Sequence, residues 1–296
     1  MTYNTWIEDW FKKCEELEIK PWEWDFKQSD TEKSIKNTSP IKLMLEYKIG
    51  KLKVADCDKR PFHIYQVLWG TESDQKIETK RYLDRYNLIR GETMNSFWTT
   101  FKNSVINSSN KNTLYDEIGI DPRMALIDQC HLLISNDNFR DFELVKNNIS
   151  AFEKFATLSH SIGNFTVLPH WMNTGRYCFS QDYWDVTLQS FYDFFKPMGC
   201  WKNFVETYFL QPYVTNDEEW TVCEFWEGHF LNIEKPKKLA PKNQKELIEY
   251  IHKVNLRIEE RGKWIIKKVC EELILQHFKF YDELKDMQIR FSNEMN

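Results

Sequence analysis

The spacing of hydrophobic residues predicts that most of this chain is helical. In the C-terminal part, apolar side chains recur every three or four residues and form one stripe, which comprises Leu247, Ile251, Val254, Ile258, Ile265, Val269 and Leu273. Such a stripe is typical of an amphipathic helix, and it predicts a long helix over residues 243–290. Near the start of the chain, Trp6, Trp10 and Phe11 share one face and predict a helix over residues 4–18.

Capping residues predict where other helices begin. Ser39 followed by Pro40 predicts the start of a second helix, because serine caps helix N-termini and proline suits the first turn. Thr93 is the predicted cap of a helix over residues 93–107. Apolar periodicity predicts four more helices, over residues 123–134, 139–162, 182–195 and 200–211.

Two short runs have the character of β-strands. Phe62–Trp69 is rich in aromatic and branched residues, and Asn164–Pro169 alternates and is too short for a helix. We therefore expect a mainly α fold with a minor β element and a long C-terminal helix. The predicted organisation is a single large helical domain, with an N-terminal helix within residues 1–24 and a core over residues 25–234 before the helix at 243–290.

Composition favours a folded protein and gives no indication of binding to nucleic acids. Of the 296 residues, 42% are hydrophobic and 16% are aromatic, whereas disordered chains lack this much Trp, Tyr and Phe. The formal net charge is −5. Binding of DNA or RNA requires a clustered basic surface, so the charge gives no indication of a nucleic-acid partner.

The cysteines and the lack of targeting signals predict a cytoplasmic location. Seven cysteines are spread widely along the chain and never form C-x-x-C, which is typical of reduced thiols rather than of disulfides or a zinc ribbon. The N-terminal residues have neither the basic nor the apolar region of a signal peptide. No apolar window of about 18 residues occurs, so we expect no membrane association.

His160 is the first candidate for chemistry. It continues an apolar stripe formed by Ile149, Phe152 and Ala156, so it is expected to point inward. Gly163 is the predicted C-terminal cap of this helix, and the negative end of the helix dipole would favour a protonated imidazole. The functional interpretation is a charged or acid–base histidine, and the alternative is a core histidine bonded to a carbonyl oxygen.

Asn164, Asn173 and Arg176 follow closely and supply amide and guanidinium donors. The fork of Arg176 fits a carboxylate or a phosphate. Two structural alternatives stay open. Asn173 lies in a turn-like Asn-Thr-Gly segment and could bond its own backbone, and Arg176 could pair with Asp182 or Asp185.

Two residues on predicted helices are candidates because of their position. Asp182 is a natural N-cap, while Asp185 lies in the first helical turn at the border of the buried face. Arg261 interrupts the apolar stripe of the C-terminal helix, where a guanidinium is costly unless it is paired. Its predicted partner is a carboxylate of Asp182, Asp185 or Glu227 or a ligand anion, unless it reaches the edge of the core. Arg257, one position off the stripe, is expected to be solvated.

The segment Trp226–Phe230 holds Glu227 and His229 on either side of a glycine. A Glu–His pair could transfer protons, and the segment is equally well explained as a turn with a polar tip. The chain has no H-E-x-x-H, P-loop, G-x-G-x-x-G or G-x-S-x-G pattern, so no cofactor and no metal site are indicated.

Several segments share the pattern IGNF…N…R…DYWD…L with a later WEGHF. They are GETMNSFWTTF (91–101), HSIGNFTVLP (160–169), MNTGRYCFSQDYWDVTL (172–188), CWKNFVETYFLQPYV (200–214) and FWEGHF (225–230). Over about residues 25–262, the chain thereby resembles a broad group of uncharacterised bacterial proteins built around a domain of unknown function. This resemblance implies membership of that group and no particular activity.

A second resemblance concerns Ile162–Leu168 followed by Asn173, which is similar to the second half of an HNH-type nuclease domain. That family uses an upstream histidine to activate water beside a metal ion. This chain lacks the expected upstream acidic-His-Ile-x-Pro segment, and its nearest equivalent, Asp128–His131, is predicted to be helical. The resemblance therefore assigns no residue of this chain as the general base.

These observations lead to three hypotheses of function. The leading one is a polar pocket for an anionic ligand such as a phosphate or nucleotide group, lined by His160, Asn164, Asn173, Arg176, Asp185 and Arg261. The first alternative is a degenerate HNH-like metal-dependent nuclease, with His160 as its catalytic residue. The second is a non-enzymatic interaction protein in which the same side chains form a buried structural network.

Overall fold

Helices make up most of the chain that the computed structural model describes, which covers residues 3–27, 39–50, 59–69, 91–106, 123–135, 140, 143–167, 183–230, 241 and 243–295. The helices are α1 (Tyr3–Glu16), α2 (Pro40–Lys48), α3 (Lys59–Trp69), α4 (Phe97–Phe101), α5 (Leu126–Ser135), α6 (Glu143–Lys146), α7 (Ile149–Leu158), α8 (Trp184–Phe195), α9 (Trp201–Thr207) and α10 (Gln244–Leu273). The strands are β1 (Gly91–Thr93) and β2 (Phe165–Val167). The predicted mainly α fold, with a minor β element and a long C-terminal helix, is confirmed.

Two helix starts bear on the capping predictions: Ser96 caps its helix through a side-chain hydrogen bond, whereas the Ser39 side chain makes none to its helix. Ser39 and Pro40 occupy the N-cap and first position of α2, as predicted. Helix α4 begins after Ser96, whose side chain accepts a hydrogen bond from the Thr99 amide, so the prediction of Thr93 as cap is wrong. Thr93 instead ends strand β1.

The predicted strand over Phe62–Trp69 is wrong, since these residues belong to helix α3. Ile64, Tyr65 and Trp69 are the fully buried side chains of this run, and their spacing fits one face of a helix. The apolar content of the run suggested a strand. The buried positions recur at helical spacing, which fits a helix and not a strand.

Two long helices end earlier than predicted. The predicted helix over 139–162 is divided into α6 and α7, with Asn148 as the N-cap of α7. The predicted helix over 243–290 ends at Leu273, because Ile274 adopts a left-handed conformation with φ 58°. The tail that follows folds back along α10, where the Lys267 ammonium donates hydrogen bonds to two carbonyl oxygens of the tail, at 2.8 and 2.6 Å.

The predicted β element at Asn164–Pro169 is present as strand β2, which pairs with β1 in antiparallel register. Gly91 lies opposite Val167, and Thr93 lies opposite Phe165. The pairing continues past the strands, since the Met94 amide donates to the carbonyl oxygen of Asn164 at 2.8 Å. This short ladder holds the segment around Asn164 against residues 94–95.

Helix α10 lies in the hydrophobic core, where its closest neighbours are α7 and the 3-10 turn Ile162–Asn164. Gly163 allows a close approach, because a Cβ atom at this position would lie 2.0 Å from the carbonyl oxygen of Ile258. Its predicted role as a helix cap is wrong, since α7 ends at Leu158 and Gly163 lies within the following turn. The contact places this turn directly against the part of α10 that carries Arg261.

No helix in the described ranges combines the length and the apolar character that crossing a membrane requires.

Candidate functional site

Arg261 is fully buried and is bonded to backbone carbonyl oxygens. Its Nε donates to Tyr208 at 3.0 Å, and its Nη1 donates to Gly163 at 2.8 Å and to Phe165 at 2.6 Å. Tyr208 and Phe165 are the C-terminal caps of α9 and of the 3-10 turn, where carbonyl oxygens lack helical partners. The guanidinium therefore joins the ends of two helical segments to α10.

The predicted carboxylate partners of Arg261 are not bonded to it. Asp185 bonds to other groups, Glu227 is exposed, and Asp182 lies outside the described residues. One donor of the guanidinium, Nη2, is buried without a hydrogen-bond partner. Burial lowers the pKa of Arg261 to about 10, so the group is still charged at neutral pH.

Arg257 is also buried, with 5% of its surface exposed, so the prediction of a solvated side chain is wrong. Its Nη2 donates to the Ser292 hydroxyl at 2.6 Å, and its guanidinium carbon lies 5.5 Å from the centre of the Phe225 ring. Burial lowers its pKa, whereas nearby Cys223, Tyr213 and Asp185 favour the charged form. Its Nε has no hydrogen-bond partner.

Asn164 is fully buried, and the protein backbone takes up most of its hydrogen bonds. Its Oδ1 accepts from the backbone and side-chain nitrogens of Asn95 at 3.0 and 3.1 Å. Its Nδ2 donates to the carbonyl oxygens of Asn95 and Ser159, both at 2.8 Å. The amide therefore connects three chain segments and offers little to a ligand.

Tyr213 connects Asn164 and Asn95 with the two arginines. Its hydroxyl accepts a hydrogen bond from Asn95 Nδ2 at 3.2 Å. Burial raises the pKa of Tyr213 to about 12, although the charges of Arg261 and Arg257 act in the opposite direction. Together these five residues, Arg257, Arg261, Tyr213, Asn95 and Asn164, form the central polar cluster.

His160 belongs to a separate buried cluster with Asp25 and Lys27. The Lys27 ammonium lies 2.9 Å from Asp25 Oδ1, 3.0 Å from the carbonyl oxygen of Ala156 and 3.4 Å from Nδ1 of His160. Burial and the charges of Lys27 and Lys48 hold the pKa of His160 well below its ordinary value. Of the two interpretations of His160, the charged form finds no support here, because burial and then the neighbouring ammonium charges disfavour protonation, and the neutral ring accepts from Lys27.

Asp185 and His229 form the closest acid–base pair among the described residues considered as site candidates. Asp185 Oδ2 lies 2.6 Å from His229 Nδ1, and neither side chain has exposed surface. The carboxylate also accepts from the Val186 amide through Oδ1 and from the Phe225 amide through Oδ2, both at 2.9 Å. Of the two interpretations of this segment, the Glu227–His229 pair does not form, since Glu227 is exposed and Asp185 is the carboxylate beside His229.

The backbone around His229 is held by a second carboxylate. Glu224 accepts hydrogen bonds from the amides of Gly228 at 2.9 Å and Phe230 at 2.8 Å, one on each side of the histidine. Gly228 has φ 76°, a conformation that favours glycine. The Trp226 ring stacks on the imidazole with 3.6 Å between centroids. The ring of His229 is thereby fixed, while its Nε2 has no hydrogen-bond partner.

The remaining predicted ligand-binding residues, Asn173 and Arg176, lie outside the described residues. Among the residues that are described, no three of the His, Cys, Asp and Glu side chains are grouped so as to hold a metal ion. The sequence patterns DYWD and WEGHF each contributed one member of the Asp185–His229 pair. No sequence signal linked these two positions, which are 44 residues apart.

Comparison with family models, with curated proteins and with solved structures finds no match for this chain. The resemblance to a bacterial group of unknown function therefore stays a prediction. So does the HNH-like nuclease, for which the described geometry adds no support, since His160 accepts from Lys27 and Asn164 is bonded to the backbone.

Proposed function

We propose that this chain binds a small anionic ligand, such as a phosphate or the phosphate group of a nucleotide, at the central polar cluster. One observation carries the proposal: two buried guanidiniums, Arg257 and Arg261, each retain a donor without a partner. Neither arginine makes an ion pair with a carboxylate within the described part of the chain.

The local charge balance favours an anion. Arg257 and Arg261 are one helical turn apart on α10 and therefore share a face. Asp185 is the carboxylate that acts on Arg257, but its oxygens already accept from His229 and two backbone amides. Since buried charge is costly without compensation, an anion beside these groups would stabilise the folded chain.

The donors suit an oxyanion. Guanidinium groups recognise phosphate and carboxylate oxygens through charge-assisted hydrogen bonds. Tyr213 keeps its phenolic proton at neutral pH, as an ordinary tyrosine does, and burial raises its pKa further, to about 12. Arg257 Nε, Arg261 Nη2 and the Tyr213 hydroxyl therefore supply three donors of the kind that a phosphate accepts.

Thermal unfolding with a panel of anions tests the proposal. The panel contains inorganic phosphate, pyrophosphate, a nucleoside monophosphate and a nucleoside triphosphate, with the uncharged nucleoside and sodium chloride of equal ionic strength as references. An anion present at about 100 times its Kd should stabilise the chain by about 2.7 kcal/mol, which raises the melting temperature visibly.

Two variants locate the binding site. Arg257→Gln is expected to remove most of the anion-dependent rise in melting temperature. Lys253→Gln removes the same charge one turn earlier on α10, where Lys253 pairs with Glu249 at 2.7 Å, and should keep the rise. The proposal is wrong if no anion exceeds the salt reference, or if Arg257→Gln responds as the unsubstituted chain does.

A second candidate is a non-enzymatic interaction protein with a buried structural network. The observation that favours it is the bonding of Arg261 and Asn164 to carbonyl oxygens of their own chain. On this view, Arg257→Gln and Arg261→Gln lower the melting temperature equally with and without anions. The anion panel therefore separates the two candidates.

We infer a cytoplasmic location for the protein in a bacterium. The thiols support the compartment, since Cys14, Cys130, Cys200, Cys223 and Cys270 are all free. Fractionation of cells that express the tagged full chain would test the location. Recovery in a secreted or membrane fraction would contradict it.

A further inference from the structure

Cys223 differs from the other described cysteines in its exposure. Cys14, Cys130, Cys200 and Cys270 are buried, whereas the Cys223 residue keeps part of its surface in solvent. The reactive form of a cysteine is the thiolate, and burial in apolar surroundings disfavours it. Burial raises the pKa of Cys130 to about 11 and that of Cys270 to about 12, so these thiols stay protonated at neutral pH. Within the described part of the chain, a small reagent therefore has access to Cys223 without any change of the fold.

A buried guanidinium lies beside this thiol. The Cys223 amide donates to the carbonyl oxygen of Tyr213 at 3.0 Å, and the ring of Phe225, two residues further on, lies 5.5 Å from the guanidinium carbon of Arg257. The Cys223 side chain favours the charged form of Arg257 through its charge and a hydrogen bond. Arg257 is only 5% exposed, and its Nε has no hydrogen-bond partner among the described residues. This donor is therefore left for a group that is held next to the thiol.

A cationic group beside a partly exposed thiol is the environment in which cysteines react with oxidants, because the cation stabilises the thiolate. Guanidinium N–H groups also donate to oxygen atoms that gain negative charge. Hydrogen peroxide is small enough to reach a partly covered thiol, and both of its oxygens accept hydrogen bonds. We propose that Cys223 is a modification site at which hydrogen peroxide oxidises the thiol to a sulfenic acid, with Arg257 as the residue that activates it.

The proposed step balances with peroxide as the oxidant. The Cys223 thiol releases its proton, and the thiolate sulfur attacks one oxygen of hydrogen peroxide. An S–O bond forms as the O–O bond breaks, and the departing hydroxide takes up a proton to become water. The sulfur loses two electrons, the peroxide gains them, and the products are cysteine sulfenic acid and water.

Trapping of the sulfenic acid in the purified full chain tests the proposal. The chain is treated with hydrogen peroxide and dimedone, which reacts with sulfenic acids, and peptide mass spectrometry assigns each adduct to its cysteine. Cys200 is the internal control, since it is 6% exposed and its thiol donates to the carbonyl oxygen of Met198 at 3.4 Å. Cys223 should be labelled at least ten-fold faster than Cys200. Absence of a Cys223 adduct, or equal rates at the two cysteines, would overturn the proposal.

Substitution of Arg257 tests its part in the reaction. Arg257→Gln should slow labelling of Cys223 about ten-fold, the size expected for loss of one charge-assisted hydrogen bond. Lys253→Gln removes the same charge one turn earlier on α10 and should label as the unsubstituted chain does. Labelling of Cys223 at the same rate in all three proteins would overturn the role of Arg257.

A comparison of the folded and the urea-unfolded chain covers the case in which Arg257→Gln does not fold. Unfolding exposes every thiol, so Cys200 should be labelled faster in concentrated urea. Cys223 should show the opposite change, because the folded chain alone places Arg257 beside it. Faster labelling of Cys223 in urea would overturn the proposal. The readout requires no bound anion, so its failure is distinct from failure of the proposed anion site.

Discussion

Replacement of Arg261 by methionine should lower the free energy of unfolding by about 3–5 kcal/mol, because three carbonyl oxygens lose a charged donor and each loss costs at least about 1 kcal/mol. Methionine has a similar length and fills space well, so the loss comes chiefly from hydrogen bonding. The carbonyl oxygens of Tyr208, Gly163 and Phe165 would each lose their guanidinium donor. Each buried polar group that is left unpaired costs about 1–3 kcal/mol.

Equilibrium unfolding in urea, followed by circular dichroism, measures this change. The midpoint should fall while the slope of free energy against urea stays constant, because the exposed surface on unfolding is nearly the same. Lys253→Met removes a charge elsewhere on α10 and should cost about 0.3–0.5 kcal/mol, since it breaks a half-buried i, i+4 pair. If Arg261→Met is as stable as Lys253→Met, Arg261 does not join the two helical ends to α10.

Three other substitutions probe separate parts of the fold. Gly163→Ala should destabilise the chain by about 3 kcal/mol or more, since its Cβ would lie 2.0 Å from the carbonyl oxygen of Ile258. If thermal unfolding gives a free energy of unfolding within about 1 kcal/mol of that of the unsubstituted chain, this contact is refuted. The pKa of His160 lies below its ordinary value of 6.5, so the unfolded chain binds more protons, and stability is lost as pH falls below about 6.5. His160→Gln should therefore show a smaller fall in the urea midpoint between pH 7 and pH 5 than the unsubstituted chain does. Lys267→Met should release the C-terminal tail, because Lys267 bonds two tail carbonyl oxygens, and amide exchange in residues 285–292 should quicken while exchange in α7 stays slow.

The parts of the fold that depend on local pattern could be predicted from the sequence. The apolar stripe predicted α10, the Ser39–Pro40 pair predicted the start of α2, and the segment after Gly163 predicted strand β2. Each of these rests on residues that are close in the chain. The end of α10 was missed because Ile274, a β-branched residue, adopts a left-handed conformation that its residue type disfavours.

The candidate site depends on contacts between distant segments, which is why the sequence indicated its members but not their partners. Arg261 was correctly expected to be buried, yet its partners are carbonyl oxygens, and any residue type can supply these. Arg257 was expected in solvent because it lies one position off the apolar stripe, and the residues that cover it, including Ser292 of the tail and Phe225, are distant in the sequence. For His229, the only acid that the sequence suggested was the neighbouring Glu227, because the pattern of one chain segment carries no information about the distant Asp185.

Isothermal titration of inorganic phosphate and of a nucleoside triphosphate into the purified chain tests the central claim of an anion site most directly. The unsubstituted chain and Lys253→Gln should bind one of these anions with equal affinity. Arg257→Gln should bind it at least ten-fold more weakly, because a charge-assisted hydrogen bond contributes about 1.5–3 kcal/mol. Binding that is equal in all three proteins, or absent from the unsubstituted chain, would contradict an anion site at Arg257 and Arg261.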